Sequence, residues 1–443
     1  MRNNPVSEGN PVFTRKRLKI VCGIARYRAA PIALALVLAL VSSVQAQTWS
    51  SATPESVGMS PERLDRIAVA IDREIEQGKM PGGVLAITRH GKLVYHEAFG
   101  YQDRENGIPM PRDAIFSISS LTKPIVAVAA LTLHEQGKLL LNESIASYMP
   151  ELADMQVAVN RNPSETVPAR RQPTVEDLFL HTSGFTNEFV GSTELHGLYP
   201  PTNIWPDELT GDEFVNVLAQ LPLHHQPGTT WDYSYGFDLL AVMIERLSGK
   251  SHAEYLEEEI FAPLGMTDTS FSIPANKASR HVKPLSHDPL TGEPQSVIDH
   301  SKRVFDCGQD CLTSTVLDYL AFAQMLMNRG EFNGQRILGP RTVDNMTADH
   351  AGPDVDLSIL YDIAALPNDG YGFGLGVAVR RETGLGGTMA SPGEYQWYGA
   401  TGTLFRVDPA EGLVIVWMAH TPGEIRGVNR QLIPTLVYQA LLE

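Results

Sequence analysis

Strand-forming runs lie at the two ends of this 443-residue chain, and their placement restricts the fold more than any other feature. Near the start, GVLAITRHGKLVYHEAFG (83–100) predicts two strands joined at His90–Gly91. Near the end, strands are predicted in GYGFGLGVAVR (370–380), GTLFRVDP (402–409) and LVIVWMAHT (413–421), the last two joined as a hairpin. Because strands must pair to bury their apolar faces, we expect one antiparallel sheet built from both ends of the chain.

Helical patterns occupy most of the remaining sequence. Helices are predicted at 59–78 (with Ser60 as N-cap), 120–135, 174–184, 235–249, 251–265, 314–330 and 428–443. The middle of the chain carries no obvious sheet. We therefore predict an α+β fold in which residues 53–140 and 310–443 form a sheet domain flanked by helices. Residues 141–309 form a helical domain, and the site lies where the two domains meet.

Residues 1–46 resemble a cleavable signal peptide. A basic region precedes the apolar run AAPIALALVLALV (29–41), and VQAQ (44–47) offers a small-residue cleavage site after Ala46. This pattern predicts a periplasmic or secreted protein, the alternative being an uncleaved membrane anchor. Residues 1–46 hold seven Lys or Arg against one Glu, so the remaining chain has a net charge near −22. That charge argues against nucleic acid and anionic membrane surfaces as partners, and we expect no stable membrane insertion after signal removal.

The stretch FSISSLTKPIVAVAAL (116–131) is the strongest candidate for a chemical site. Of its serines, Ser120 lies three residues before Lys123, so the two side chains would share a helix face. A lysine amine whose pKa is lowered could accept the serine proton and so activate a nucleophile. The alternative is a plain helix start with a solvated lysine. The apolar run after Lys123 predicts a buried helix, in which a lysine requires a specific role.

Two further segments supply groups that such a serine would need. Tyr233 precedes a predicted helix, and a glycine-bearing strand follows at 394–409. With these segments the chain resembles the serine β-lactamase and penicillin-binding-protein superfamily, in particular class C β-lactamases and family VIII carboxylesterases. The resemblance runs from about residue 53 to 440 through an ordered series of motifs: FSISSLTKP, VEDLFLHTSGF, QPGTTWDYS, LSGKS, FAPLGMTDTSF, LTSTVLDYLAFAQML, GYGFGLG and WYGATGTLFRVDP.

The resemblance implies a role for each matching residue. Ser120 matches the acylated serine, Lys123 its partner lysine, and Tyr233 the tyrosine that shuttles a proton to the leaving group. The backbone amides of Ser120 and Ala400 would form the oxyanion hole. The remaining matches, expected to line the substrate site, are Tyr235, Trp397, Tyr398 and Gly399.

Two motifs depart from the β-lactamase pattern. The second motif reads Tyr-Ser-Tyr instead of Tyr-x-Asn, and the third reads Trp-Tyr-Gly instead of Lys-Thr-Gly. Trp397 thus replaces a lysine that helps to hold a substrate carboxylate, which favours an uncharged small-molecule ester or amide. We predict a cofactor-independent serine carboxylesterase for short-chain esters. The alternatives are a β-lactamase, a D-amino-acid peptidase or amide hydrolase, an acyltransferase, and an inactive cell-wall-binding module, and the oligomeric state stays open.

Other site chemistries have weaker support in the sequence. Cys307 and Cys311 could form a disulfide in an oxidising compartment, whereas a metal site would want a nearby pair of histidines. Cys311 stands where the family usually has glycine. His181 in HTSG could act as a base, but the segment resembles a structural one. No complete Gly-x-Ser-x-Gly, His-Glu-x-x-His or Walker motif occurs in the sequence.

Overall fold

A computed structural model describes residues 49–202, 205–299, 302–364, 366, 370–385, 387–421, 423 and 425–442. The predicted signal peptide, residues 1–46, lies outside the described residues. Within those ranges, no helix combines the length and the apolar character that crossing a membrane requires.

The strands of the described residues are mostly short. In chain order they are β1 Gly82–Arg89, β2 Lys92–Asp103, β3 Ile108–Pro109, β4 Phe116–Ser117, β5 Gln156–Val159, β6 Asn162–Pro168, β7 Thr313–Ser314, β8 Glu331–Phe332, β9 Gln335–Arg336, β10 Tyr371–Phe373, β11 Ala378–Arg380, β12 Tyr395–Tyr398, β13 Leu404–Asp408 and β14 Leu413–Ala419. Eight of these described strands form one antiparallel sheet in the order β10-β11-β12-β13-β14-β1-β2-β3. The sheet predicted from both ends of the chain is therefore present.

Helices surround this sheet and fill the middle of the chain. They are α1 Pro61–Glu76, α2 Thr122–Glu135, α3 Val175–Phe179, α4 Trp205–Glu208, α5 Gly211–Leu218, α6 Gly236–Ser248, α7 His252–Leu256, α8 Ala262–Leu264, α9 Val316–Met327, α10 Pro340–Met346, α11 Ser358–Ala364 and α12 Ile425–Tyr438, with a π-helical turn Glu257–Phe261 between α7 and α8. Short 3₁₀ turns occur at Pro54–Val57, Ser119–Leu121, Ile145–Ser147, Pro150–Leu152, His196–Leu198 and Ala278–Arg280.

The two faces of the sheet are covered by different helices. Successive side chains of β13 point to opposite faces. Phe405 packs against Tyr319 of α9, with ring centroids 5.4 Å apart. Its neighbour Arg406 donates instead to the backbone oxygen of Arg430 in α12 at 3.3 Å. α9 and α12 therefore lie on opposite faces, and β1 and β14 are buried along their whole length.

The centre of the sheet joins the beginning and the end of the chain. β1 pairs with β14 from Gly83 opposite Ala419 to Arg89 opposite Leu413. A Cβ on Gly83 would lie 2.4 Å from the indole ring of Trp417, so this close pairing requires glycine.

α2 forms the core of the helical part. Every residue from Thr122 to Leu133 is buried, and α6 packs beside it. Burial on all sides explains why this helix follows an almost unbroken apolar sequence rather than an amphipathic one.

Three expectations about local structure are wrong. The helix predicted at 174–184 ends at Phe179, because His181 adopts a left-handed backbone with φ of 55° and its Nδ1 accepts from the amide of Ser234 at 3.2 Å. The middle of the chain contains a hairpin, β5–β6, whose turn places Asn160 and Arg161 at positive φ without the usual Asn-Gly signature. The run 370–380 is two paired strands rather than one, with Gly376 at φ of 92° between them.

Candidate active site

The candidate nucleophile lies on a short 3₁₀ turn that leads into α2. β4 pairs with β7, and the amide of Ile118 donates to the carbonyl of Leu312 at 3.0 Å, which fixes the chain just before the turn. Ser119 has a positive φ of 45°, and Ser120 follows it half-buried. The turn thus presents the hydroxyl of Ser120 at the start of α2, where the helix dipole favours developing negative charge.

Lys123 lies one turn further along α2 and is 1% exposed. Its Nζ donates to the Oγ of Ser120 at 3.3 Å and to the backbone oxygen of Gln309 at 2.9 Å. Nζ also lies 4.4 Å from the centroid of the Tyr233 ring. Burial in an apolar helix has therefore placed the lysine amine against the serine rather than in solvent.

Tyr233 approaches Ser120 from the loop before α6. Its phenol oxygen donates to the Oγ of Ser120 at 2.7 Å. The amide side chain of Asn187 donates to the backbone oxygen of Tyr233 at 3.1 Å, and the ring packs 4.8 Å from that of His181. Ser120, Lys123 and Tyr233, predicted from three positions in the sequence, meet at one hydroxyl oxygen.

The end of β12 lies directly behind the 3₁₀ turn Ser119–Leu121, called the nucleophile turn below. A Cβ on Gly399 would lie 2.4 Å from the carbonyl oxygen of Ile118, so only glycine permits this approach. Thr401 and Thr403 donate through their hydroxyls to the carbonyls of Ser117 at 2.5 Å and Ile118 at 3.1 Å. Ala400 is exposed, and the described residues provide no acceptor for its backbone amide.

A small cavity of about 100 Å³ opens at the serine. The described residues that line it are Ser120, Phe189, Tyr233, Ile363, Ala364, Trp397, Tyr398, Ala400, Arg426 and Arg430. Trp397 lies beside Tyr233, with nearly parallel rings whose centroids are 6.1 Å apart. The walls are mainly apolar and aromatic, and the charged groups come from α12.

Tyr235 does not line this cavity, contrary to the sequence prediction. It is completely buried, and its hydroxyl donates to a carboxylate oxygen of Glu188 at 2.8 Å and to the carbonyl of Pro200. Its ring stacks on Tyr199 at 6.2 Å. Because Tyr235 begins the turn into α6, its side chain leaves the loop on the side away from Ser120.

The loop 307–311 contacts Lys123. Cys307 and Cys311 form a disulfide, and Gln309 between them supplies the carbonyl that binds Lys123. The amides of Gly308 and Gln309 both donate to Oδ1 of Asp238, at 2.8 and 3.1 Å. Burial raises the pKa of Asp238 to about 8, and the nearby Asp310 carboxylate adds to this effect while Lys123 opposes it.

His181 contacts the site from behind rather than from within it. The side chain is completely buried, and burial together with the charge of Lys123 holds the pKa of His181 well below its usual value. Its Nδ1 accepts from the amide of Ser234, beside Tyr233. His181 therefore positions the tyrosine loop and does not contact Ser120.

Among the described residues, two groups have a composition that could suit a metal ion. His224, His225 and Asp232 lie close together, and Nδ1 of His224 is 2.6 Å from Oδ2 of Asp232, which is a hydrogen-bonded pair. In the second group the sulfurs of Cys307 and Cys311 are bonded to each other, so they offer no thiolate. Asp232 immediately precedes Tyr233, so the His224 pair anchors the loop that carries the phenol.

Comparison with known proteins identifies the family. A family model described as Beta-lactamase matches residues 67–435, which is most of the chain. This chain belongs to the β-lactamase family. Within that family it is a serine hydrolase of β-lactamase/transpeptidase-like fold, as the motif series predicted.

Named relatives of this β-lactamase family chain include esterases. Protein Rv1367c of Mycobacterium tuberculosis is 32% identical over 369 residues, covering 81% of this chain and 90% of the relative. Esterase EstB of Burkholderia gladioli is 28% identical, covering 85% and 95%. Among solved structures, EstCE1, "a hydrolase with promiscuous acyltransferase activity", aligns with a TM-score of 0.69 at 24% identity, covering 85% of this chain and 99% of its own, which supports the fold.

Several residues at the site were not predicted from the sequence. Gln309 contacts Lys123 through its backbone carbonyl, and the Asp238 carboxylate binds the backbone amides of the same loop. Phe189 lines the cavity from a loop that carries no motif. Arg426 and Arg430 carried a visible signal, since residues four apart on a helix share a face. That signal had meaning only once α12 was known to lie beside Ser120.

Proposed function

We propose that this protein is a carboxylesterase that hydrolyses short-chain esters through an acyl-enzyme on Ser120. The observation that carries the proposal is the convergence of Lys123 and Tyr233 on the Oγ of Ser120, beside a cavity walled by Trp397. The named esterase among the relatives supports ester chemistry over lactam chemistry. A cavity of about 100 Å³, as bounded by the described residues, suits a small acyl group better than a long chain.

In the proposed reaction, the Oγ of Ser120 attacks the ester carbonyl carbon while its proton passes to the Lys123–Tyr233 pair. The amides of Ser120 and Ala400 would stabilise the negative charge on the carbonyl oxygen, at about 3 kcal/mol each. Tyr233, the closer of the two partners, then returns a proton to the departing alcohol oxygen. Water attacks the acyl-serine carbonyl, gives up a proton to the same pair, and releases the acid as Ser120 is reprotonated.

A substrate comparison tests this proposal. The purified protein is assayed with p-nitrophenyl acetate, butyrate and octanoate and with a chromogenic cephalosporin. We expect the highest kcat/KM for the two shorter esters and slow cephalosporin turnover. Faster turnover of the cephalosporin than of every ester would contradict the carboxylesterase assignment and favour a β-lactamase.

Covalent labelling tests the nucleophile. A fluorophosphonate should form one adduct on Ser120, detected by mass spectrometry of the digested protein. Labelling should persist in Ser119→Ala and disappear in Ser120→Ala, because the Lys123 amine donates a hydrogen bond to the hydroxyl of Ser120. A protein that neither labels nor hydrolyses any ester would instead fit the inactive cell-wall-binding module.

Export is proposed on the sequence of residues 1–46 alone. We expect the protein in the periplasmic or extracellular fraction, shortened at its N-terminus after Ala46. Fractionation followed by N-terminal sequencing of the purified protein tests this, and an intact N-terminus in the membrane fraction would indicate an uncleaved anchor.

A further inference from the structure

Two histidines and a carboxylate lie together at the residue that precedes Tyr233. Asp232 is completely buried, and Nδ1 of His224 lies 2.6 Å from its Oδ2. Nε2 of His225 lies 3.5 Å from the same oxygen. When one donor atom is taken from each residue, the three atoms lie within 4.8 Å of one another. None of the three is among the described residues that line the cavity at Ser120, so this cluster is separate from the candidate active site.

Both histidines keep a ring nitrogen without a hydrogen-bond partner. Nε2 of His224 and Nε2 of His225 are buried, and neither makes a hydrogen bond within the described structure. The 3.5 Å between His225 and Asp232 is longer than an ordinary hydrogen bond. A buried polar atom left unbonded loses the hydrogen bond that water would supply, at a cost of about 1–3 kcal/mol. The cluster therefore contains nitrogen atoms that nothing in the described part of the chain uses.

Buried histidine nitrogens without a partner occur elsewhere, but in different surroundings. Nε2 of His181 and Nε2 of His252 are also buried and unbonded. The ring of His181 lies 5.3 Å from that of Phe237, and the ring of His252 lies 5.2 Å from that of Phe271. Neither histidine belongs to a group of three potential metal ligands among the described residues. The feature that distinguishes the cluster is therefore the meeting of two imidazoles with one carboxylate.

The carboxylate of Asp232 forms no ion pair with a lysine or arginine in the described structure. Its Oδ1 accepts from the hydroxyl of Thr186 at 3.1 Å, and its ion-pair contacts there are to His224 and His225 alone. A carboxylate that is withdrawn from water is costly unless a positive charge compensates it. A divalent cation held between the carboxylate and the two imidazoles would supply that charge.

We infer that His224, His225 and Asp232 bind a divalent d-block metal ion such as Zn²⁺, at a site separate from the proposed ester chemistry. Imidazole nitrogen favours this class of ion, whereas Mg²⁺ and Ca²⁺ prefer oxygen ligands. Zinc–ligand bonds of about 2.0–2.2 Å place two ligands of a tetrahedral ion about 3.4 Å apart. The 3.5 Å between His225 and Asp232 fits this spacing, and the 2.6 Å contact of His224 would have to lengthen by less than about 1 Å. The side chain of His225 is 18% exposed, which gives an ion access from solvent.

Zinc titration of the protein, purified without a histidine tag, tests the site. The protein is treated with EDTA, freed of the chelator and titrated with ZnCl₂ by calorimetry, and the zinc retained after dialysis is measured by mass spectrometry. We expect about one Zn²⁺ per chain, which excess Mg²⁺ does not displace. Since an ion that binds only the folded state stabilises it, Tm should rise as zinc is added. A wild-type protein that retains no zinc and shows no zinc-dependent Tm would overturn the inference, whether or not it hydrolyses esters.

Single substitutions assign the ligands. In His224→Gln and in His225→Gln the zinc affinity should fall at least about tenfold, because loss of a group that only orients a ligand already costs about 10–100-fold. His287→Gln, at an exposed position, is the matched control and should bind zinc as the wild-type protein does. Circular dichroism of the metal-free variants checks their fold, and His225→Gln carries the test if His224→Gln does not fold, since His225 is the more exposed of the two. Zinc binding of wild-type strength in His225→Gln would refute the site.

Discussion

The side-chain nitrogen of Lys123 lies closer to the backbone oxygen of Gln309, at 2.9 Å, than to the hydroxyl oxygen of Ser120, at 3.3 Å. The lysine is therefore held by two elements distant in the chain, the nucleophile turn and the loop closed by Cys307 and Cys311. Because the Gln309 carbonyl accepts a hydrogen bond from the Lys123 amine, the position of this carbonyl determines how the amine is oriented toward Ser120.

Removing the disulfide should impair turnover more than stability. In the Cys307→Ser/Cys311→Ser double variant we expect kcat to fall about tenfold with KM little changed, because the Gln309 carbonyl loses its restraint. A bridge that closes so short a loop contributes no more than about 2 kcal/mol to the free energy of unfolding. Urea unfolding and ester kinetics on the same samples measure both effects, and unchanged kcat would show that Asp238 alone holds the loop.

Tyr233→Phe and Tyr235→Phe form a matched pair. Each removes one phenol oxygen and keeps the ring. Loss of the Tyr233 hydroxyl removes the 2.7 Å contact to Ser120 and should lower kcat by about 10² to 10⁴. Loss of the Tyr235 hydroxyl removes one donor to the Glu188 carboxylate, to which Thr202 also donates, and should lower the free energy of unfolding by about 1.5–3 kcal/mol while esterase activity is retained.

The opposite result for this pair would restore the role that the sequence suggested for Tyr235. Ester kinetics and urea unfolding of both variants supply the measurement. A large loss of kcat in Tyr235→Phe with unchanged unfolding would place its hydroxyl in the reaction and not in the core.

Gly399→Ala should separate β12 from the nucleophile turn. The new Cβ would lie 2.0 Å from the side-chain Oγ1 of Thr403 and 2.4 Å from the backbone carbonyl oxygen of Ile118, so both the Thr403 side chain and the spacing between β12 and Ile118 must change. Since Ala400 follows directly, we expect kcat/KM to fall by about 10² or more, the size of effect seen when one oxyanion donor is lost. Gly352→Ala, where a Cβ would meet open space, should leave ester hydrolysis unchanged, and equal activities in the two variants would contradict this account.

Asp238 should make stability fall as the pH rises. Burial raises its pKa in the folded protein to about 8, from 3.8 in the unfolded chain. Between these values the folded state binds more protons than the unfolded state, so the free energy of unfolding decreases from about pH 4 to about pH 8. The loss of unfolding free energy that results from ionising Asp238 is complete above about pH 8 and absent below about pH 4.

Urea unfolding at pH 5.5 and 8.5 measures this effect. Asp238→Asn keeps an acceptor for the amides of Gly308 and Gln309 but has no carboxyl group to titrate. The difference in unfolding free energy between pH 5.5 and 8.5 should therefore be smaller than in the wild-type protein by about 1–3 kcal/mol. Asp72→Asn, at an exposed position of α1, is the control and should reproduce the wild-type decrease. A decrease in Asp238→Asn as large as in wild type would assign the titration to another group.

The sheet, and the short distance between Ser120 and Lys123, could be predicted from the sequence because both depend on local patterns. A continuous apolar run after the hairpin turn at 410–412 locates β14 beside β13, and the spacing of Ser120 and Lys123 is a property of one helix turn. The end of α3 could not be predicted, since it depends on a hydrogen bond from Ser234 to His181 across the fold. The carbonyl of Gln309 could not be predicted either, because a backbone group has no residue signature. The spacing of Arg426 and Arg430 showed only that they share a helix face, and the sequence did not indicate what that face contacts.

The pairing of β1 with β14 has a consequence for the time at which the enzyme becomes active. During synthesis, β1 and Ser120 leave the ribosome long before β14, Ala400 and α12 have been made. A nascent chain can therefore form its central helices and pair β1 with β2, but β1 lacks its second neighbour, β14, and Ser120 lacks one wall of the cavity. The proposed esterase activity therefore begins only after β14 and α12 have been released from the ribosome, and removing these elements from the C-terminus should abolish folding.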